Sequence, residues 1–357
     1  MEKKNVSTFK IAATYIGTIV GAGFATGQEI LQFFARFGKP GLIGLALATV
    51  FFVYFGYVIM YLGKQGNAES HLEVIRYSEK RLITGLTDVL ITFFLFGAFA
   101  AMIAGTGALF QQQFHVDEIA GNIIMAVLTA LTVLIGFDAV INSISFVVPF
   151  LLLSVIGISI FSIISTPPDF SEIVVSANQG GLVNRWLPAA LLYVSYNTVI
   201  SISVLGPLGV KAQNRKMIIM GSILGGLGLG VGSLFIFLAL SANLLDVAGL
   251  EVPMTFIAGK IQPSVQIIYS VILIAEIYTT AVGSLYGFVA RVNKNDKKKV
   301  KTKVITILVT IGAFLAGQLG FSNLVKYLYP LVGYGGLLML ISLVIAMRKV
   351  EKPKPNR

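Results

Sequence analysis

Glu276, Thr279, Thr280 and Gly283, in the apolar stretch AEIYTTAVGSLYG, stand at i, i+3, i+4 and i+7, so a helix would carry all four on a single face. The main-chain carbonyl of the first and the hydroxyls of the next two are hard oxygen ligands of the kind a small alkali cation takes. The threonines have a second reading, because hydroxyls in membrane helices also bond back to carbonyls of their own helix. The complement lies in the first apolar stretch, Phe9 to about Phe34, which holds Gly17, Gly21, Gly23 and Gly27 within IGTIVGAGFATGQE and then Glu29. Each interior glycine costs about 1 kcal/mol of helix propensity relative to alanine. This span is therefore expected to unwind midway, freeing carbonyls for a cation and N–H groups for an anion. Gly17 and Val20 are the expected carbonyl donors to an ion shared with Thr279 and Thr280. Glu29 and Glu276 sit deep in their spans, where a carboxylate costs at least about 2.5 kcal/mol. Each is a candidate proton or charge partner, with packing against a neighbouring hydroxyl as the other reading.

The elements that must position these groups are membrane helices. Of 357 residues, 56% are hydrophobic and 12% charged, and the mean hydropathy of +0.85 is that of a chain that lives in lipid. Apolar stretches at 9–34, 40–63, 86–110, 120–138, 141–165, 186–207, 216–242, 263–291, 302–320 and 324–347 predict an all-α polytopic membrane protein with ten transmembrane helices. The net charge of +11 does not point to nucleic acid, because it is sorted by side. With alternate loops assigned to opposite faces, twenty-two of the 27 lysines and arginines share the face of the two termini, and Arg36, Lys39, Arg185, Lys260 and Lys326 hold the other. The positive-inside rule then puts both termini in the cytoplasm of a cell-membrane protein. The absence of cysteine excludes thiol chemistry and disulfides. The apolar run beginning at residue 9 is too long for a signal-peptide core, so the first helix is expected to stay as an anchor.

The polar stretch 166–185 divides the helices five and five. It reads as an extracellular connection between a first repeat at 1–165 and a second at 186–348, followed by a cytoplasmic tail at 349–357. Five is odd, so equivalent helices cross in opposite directions, an inverted repeat. The sixth helix should then mirror the first, and its polar cluster Ser195, Tyr196, Asn197 and Thr198 sits at mid-depth. A break is expected there too, with Tyr193 and Tyr196 beside the solute. The outer loop 243–262 either folds back over the solute path or lies on the membrane surface. GSILGGLGLGVG at 221–232 has no preceding strand and fits small-residue helix packing better than a dinucleotide loop. The two histidines, His71 and His115, fall on opposite sides, which leaves no histidine-based device for an enzyme.

The residues GTIVGAGF, Gly17 to Phe24, with the spacing of Glu276, Thr279 and Thr280, resemble the amino acid-polyamine-organocation superfamily and its sodium-symporter relatives. Over the whole chain the resemblance is to the bacterial YkvI-type membrane proteins. It implies a five-plus-five inverted repeat with helices one and six discontinuous. It also implies sodium on the carbonyls of Gly17, Val20 and Glu276 and the hydroxyls of Thr279 and Thr280, and solute on the backbone of Gly21, Ala22, Gly23 and Phe24 and on Ser195 to Thr198. Two departures matter. Phe24 stands where relatives with a second sodium site carry an amide, and 141–165 lacks the lysine of proton-driven members, which favours sodium.

These features read as a sodium-coupled secondary transporter of a small organic solute, with an amino acid or related zwitterion first and a cationic amine second. Proton coupling within the same class is the alternative. A non-transporting receptor on the same scaffold would not need the ion ligands, and a channel would line several helices with polar residues rather than concentrate them at one depth.

Overall fold

The computed structural model describes residues 6–68, 73–74, 81–135, 138–168, 170, 182–293 and 299–351, and all regular structure among them is helical. The glycine-rich first span is divided as expected, into α1 (Thr8–Ile19), α2 (Ala22–Ala25) and α3 (Gln28–Phe33). Ser7 caps α1, its Oγ accepting from the Lys10 amide at 3.2 Å. Winding stops at Val20 (φ −69°, ψ 107°) and Gly21 (φ −130°, ψ −169°), both extended. A second interruption falls at Gly27, whose φ of +82° is the left-handed region where a β-carbon is penalised.

The helices that follow are α4 (Lys39–Gln65), α5 (Arg81–Phe114), α6 (Glu118–Ile135), α7 (Asp138–Ser165), α8 (Trp186–Lys211) and α9 (Arg215–Ser241). The outer loop contains α10 (Leu244–Val247) and α11 (Pro253–Ile261). The remainder is α12 (Pro263–Val292), α13 (Lys299–Gly317), α14 (Phe321–Asn323), a π-helical turn at Leu324–Leu328 and α15 (Tyr329–Glu351). Eight helices among the described residues are long and apolar enough to cross a bilayer, and Pro149–Ser165 is a shorter apolar segment. The chain is a multi-pass membrane protein. The 166–185 connection, His71, most of the basic run at 294–298 and the end of the tail lie wholly or largely outside the described residues.

The sixth helix corrects an expectation: α8 is continuous over 26 residues. Its polar cluster is absorbed locally. Asn197 Nδ2 donates to the Tyr193 carbonyl at 3.0 Å, Thr198 Oγ1 to Val194 at 2.7 Å, and Ser195 Oγ across to Gly333 of α15 at 2.7 Å. Bonds to the carbonyl four residues back leave the winding intact, and the stretch around Ser195 to Thr198 contains no glycine.

Packing is reciprocal between the halves. α1 lies on α9 as α8 lies on α4; α5 meets α15 as α12 meets α7; α5 meets α13 as α12 meets α6. The α4–α8 pair is tight because it lacks side chains at the crossing: a β-carbon on Gly209 would stand 2.0 Å from the Met60 carbonyl oxygen, and one on Gly63 2.3 Å from that of Gly206. Apolar bulk gives no advantage over lipid tails here, so such close contact carries the association. Gly209→Val is expected to cost about 1–3 kcal/mol through overpacking. Its apparent unfolding temperature in detergent should fall by several degrees, whereas Gly157→Val, where nothing lies within 4 Å, should not move. Equal midpoints would contradict this packing.

Candidate functional site

The interruption of the first span leaves main-chain groups unspent. Val20 N–H still donates to Ile16 and Ala25 N–H to Gly21, but between them no main-chain hydrogen bond joins the carbonyls of Gly17 to Val20 to the amides of Gly21 to Phe24 among the described residues. Buried main-chain groups without partners are costly in hydrocarbon. They face a cavity of about 440 Å³ lined by α1, α2, α5, α8, α12 and α15.

The α12 face comes to the same cavity. Glu276, Thr279, Thr280 and Gly283 all line it, opposite Gly17, Val20, Gly21, Ala22 and Gly23. Thr280 Oγ1 stands 3.8 Å from where a β-carbon on Gly21 would be, which puts the hydroxyl directly beside the unwound backbone. Thr279 Oγ1 donates to the Glu276 carbonyl at 3.0 Å, which orients its lone pairs without consuming them. The back-bond expected of a membrane-helix hydroxyl is therefore present at Thr279. Glu276 is buried, and its Oε2 has no hydrogen-bond partner among the described residues.

Glu29 closes the other wall. Its Oε2 accepts from the Tyr196 hydroxyl at 2.6 Å, and its Oε1 occupies the space a side chain on Gly23 would need, 2.1 Å from the position of that β-carbon. Tyr196, Phe94 and Tyr329 form a cluster with ring centroids 5.0 to 6.0 Å apart, and all three line the cavity. Of the positions expected at the solute, Gly21, Ala22, Gly23, Tyr196 and Asn197 line the cavity; Phe24, Tyr193, Ser195 and Thr198 do not. The Phe24 ring points at Gly232 of α9. Tyr193 is spent in an aromatic cluster with Phe33, Phe34 and Phe52. Phe94, Tyr329, Ser284 and Arg291 also line the cavity. Arg291 reads in the sequence as one more loop charge, and the aromatic pair carries no signal that separates it from lipid-facing rings.

The cavity has one closed end and one that continues. Towards the outer loop, Met254 N–H donates to the Thr26 carbonyl at 3.0 Å, the Tyr269 hydroxyl to Ala25, and Gln28 Nε2 to Ser322. Gln112 binds the backbone of Val252 in both directions and Thr255 besides. Glu251 accepts from Phe321 N–H at 2.9 Å; burial pushes its carboxyl above the usual range, while that bond pulls the other way. Nearby, burial lowers the Arg36 guanidinium to about 10, still charged at neutral pH, with Nη2 on the Val183 carbonyl. The outer loop therefore folds over the break, one of the two placements its sequence allows. At the other end Ser203 and Val204 are shared with a second hollow lined by Lys10, Lys64 and Lys211, on the lysine-rich face.

Fold and site together define a multi-pass α-helical membrane protein with an interrupted first helix over a central, largely apolar cavity that holds two carboxyl groups. Its fold is that of an inward-facing Mhp1 structure (14% identity, 98% of this chain and 94% of that one, TM-score 0.59). It is likewise that of MhsT in complex with L-phenylalanine (13%, 95% and 91%, TM-score 0.60) and of an outward-open Na+-coupled sialic acid symporter (12%, 100% and 94%, TM-score 0.63). The chain belongs to the family of the membrane protein YkvI of Bacillus subtilis (strain 168), with which it is 32% identical over 96% of its length and 97% of that protein's. YyaD of the same organism is 26% identical over 92% and 94%. No family model matches the chain.

Proposed function

We propose that this protein is a secondary transporter that couples movement of a small organic solute to sodium by alternating access. The observation that carries this reading is the main-chain rupture at Val20–Gly21, set opposite the Thr279 and Thr280 face in a cavity sealed at one end. Sodium would take the carbonyls of Gly17, Val20 and Glu276 and the hydroxyls of Thr279 and Thr280. The solute would lie along Gly21 to Gly23, Tyr196 and Asn197, with an amine or zwitterion as the suited chemistry. The reciprocal packing supports a five-plus-five inverted repeat over 1–165 and 186–348, with the interrupted first span and α7 completing ten crossings. Twenty-two basic residues on one face support cytoplasmic termini, and the cavity's continuation to that face supports an inward-facing state. That one fold relative is a Na+-coupled symporter supports the ion.

The partnerless Oε2 of Glu276 favours one second reading, a proton-coupled transporter in which that carboxylate carries the proton. Uptake of labelled amino acids and amines by proteoliposomes, with sodium and pH gradients imposed separately, decides between them. The expected result is uptake driven by an inward sodium gradient. Uptake that ignores sodium and follows the pH gradient would contradict sodium coupling, and no uptake under either would contradict transport.

A further inference from the structure

The cavity's charge is one-sided. Glu29 and Glu276 both line it. The one basic side chain among its described lining residues, Arg291, stands at the far end and is ion-paired with Asp88 at 2.7 Å. A solute carboxylate entering beside Glu29 would find repulsion and no basic partner. An ammonium group would find a carboxylate already oriented by Tyr196 at 2.6 Å, the rings of Phe94, Tyr196 and Tyr329 alongside, and a second buried carboxylate whose Oε2 is unpartnered. Ring faces attract cations through their quadrupole, most strongly where water is excluded. The extended backbone at Gly21 adds uncharged carbonyls and N–H groups, but no basic side chain to offset the two carboxylates.

We infer that the solute is an organic cation carrying an ammonium group and no carboxylate, held between Glu29 and the Phe94, Tyr196 and Tyr329 rings. This rests on the transporter reading and narrows its solute to one class. The amino group, alkylated or not, takes the Glu29 oxygen that faces Gly23, and the apolar remainder lies along Ile91, Leu95 and Met102 of α5, which line the same cavity. Sodium would take main-chain carbonyls and the Thr279 and Thr280 hydroxyls, which leaves the Glu29 carboxylate to the organic cation.

The test compares matched pairs that differ in the carboxylate: choline with glycine betaine, ethanolamine with glycine, and 1,4-diaminobutane with 4-aminobutyrate. Binding to the purified full chain in detergent with sodium is read as ligand-dependent thermal stabilisation and by titration calorimetry. At least one carboxylate-free member should bind about tenfold or more tightly than its match, and Glu29→Gln should weaken that binding by about tenfold, a difference near 1.4 kcal/mol. Tyr196→Leu should weaken it more than Tyr196→Phe, which keeps the ring. Tighter or equal binding of the carboxylate-bearing partners would overturn the proposal, and so would the absence of binding by all six; the wild-type comparison decides even where a variant fails to fold. Sodium-driven uptake of a zwitterion would sink the cation assignment and leave transport standing. Cation binding without uptake in liposomes would do the reverse.

Discussion

Thr280→Ala is expected to raise the sodium concentration for half-maximal uptake by about tenfold or more, with maximal uptake at saturating sodium changed far less. The variant would remove one hydroxyl from the ion shell proposed between the broken first span and α12. A tenfold change corresponds to about 1.4 kcal/mol, a modest demand on one oxygen ligand in a desolvated site. Thr280 is the sharper choice than Thr279, whose Oγ1 also donates to the Glu276 carbonyl at 3.0 Å and so has a role in its own helix. Thr280→Ser keeps the oxygen and should stay within about twofold of wild type, a change below ~0.5 kcal/mol on the same scale. Uptake measured in proteoliposomes over a sodium series separates these cases. If alanine and serine behave alike at position 280, the hydroxyl is not a ligand.

Gly23→Val should abolish transport, by about a hundredfold or more, while leaving a folded protein that has lost about 1–3 kcal/mol through overpacking. The β-carbon would arrive 2.1 Å from Glu29 Oε1, 2.7 Å from Cδ and 2.8 Å from Cγ, so the Glu29 side chain must shift, and its carboxylate would leave the position that accepts from Tyr196. The wall that joins the broken first span to α8 would open. Gly21→Ala is the informative contrast. Its β-carbon meets only Thr280, at 3.8 Å or more, and φ of −130° is open to any residue, so the fold should be unaffected and sodium affinity reduced by crowding of the ion position. Equal loss of stability in the two variants, by thermal unfolding in detergent, would contradict the placement of Glu29.

Why parts of this site were legible and others not follows from how far each signal reaches along the chain. The interruption was readable because four glycines within eleven positions depress helix propensity locally, wherever the span ends up. Even so, the conformational need falls at Gly27, with φ of +82°, whereas Gly21 has angles open to any residue and room for a β-carbon at 3.8 Å from Thr280. The α12 face was readable because helical period alone fixes which residues share it, and Gly283 joined the cavity as that period requires. The sixth helix misled because serine, threonine and asparagine mark a break and an intact helix equally well; only the partners of Ser195, Asn197 and Thr198 decide. The Glu29–Tyr196 bond joins residues 167 positions apart, and nothing local announces it. The same holds for Phe94 and Tyr329, which any count of apolar residues assigns to packing. Small changes at such long-range contacts are where members of one scaffold acquire different solutes.

Equilibrium binding of radioactive sodium to the purified protein tests the ion site at the ruptured helix most directly. Saturable binding of about one ion per chain, displaced by unlabelled sodium and lost in Thr280→Ala, is the result expected from hard oxygen ligands in such a shell. Binding that is absent in the wild type, or unchanged in the alanine variant, would contradict it.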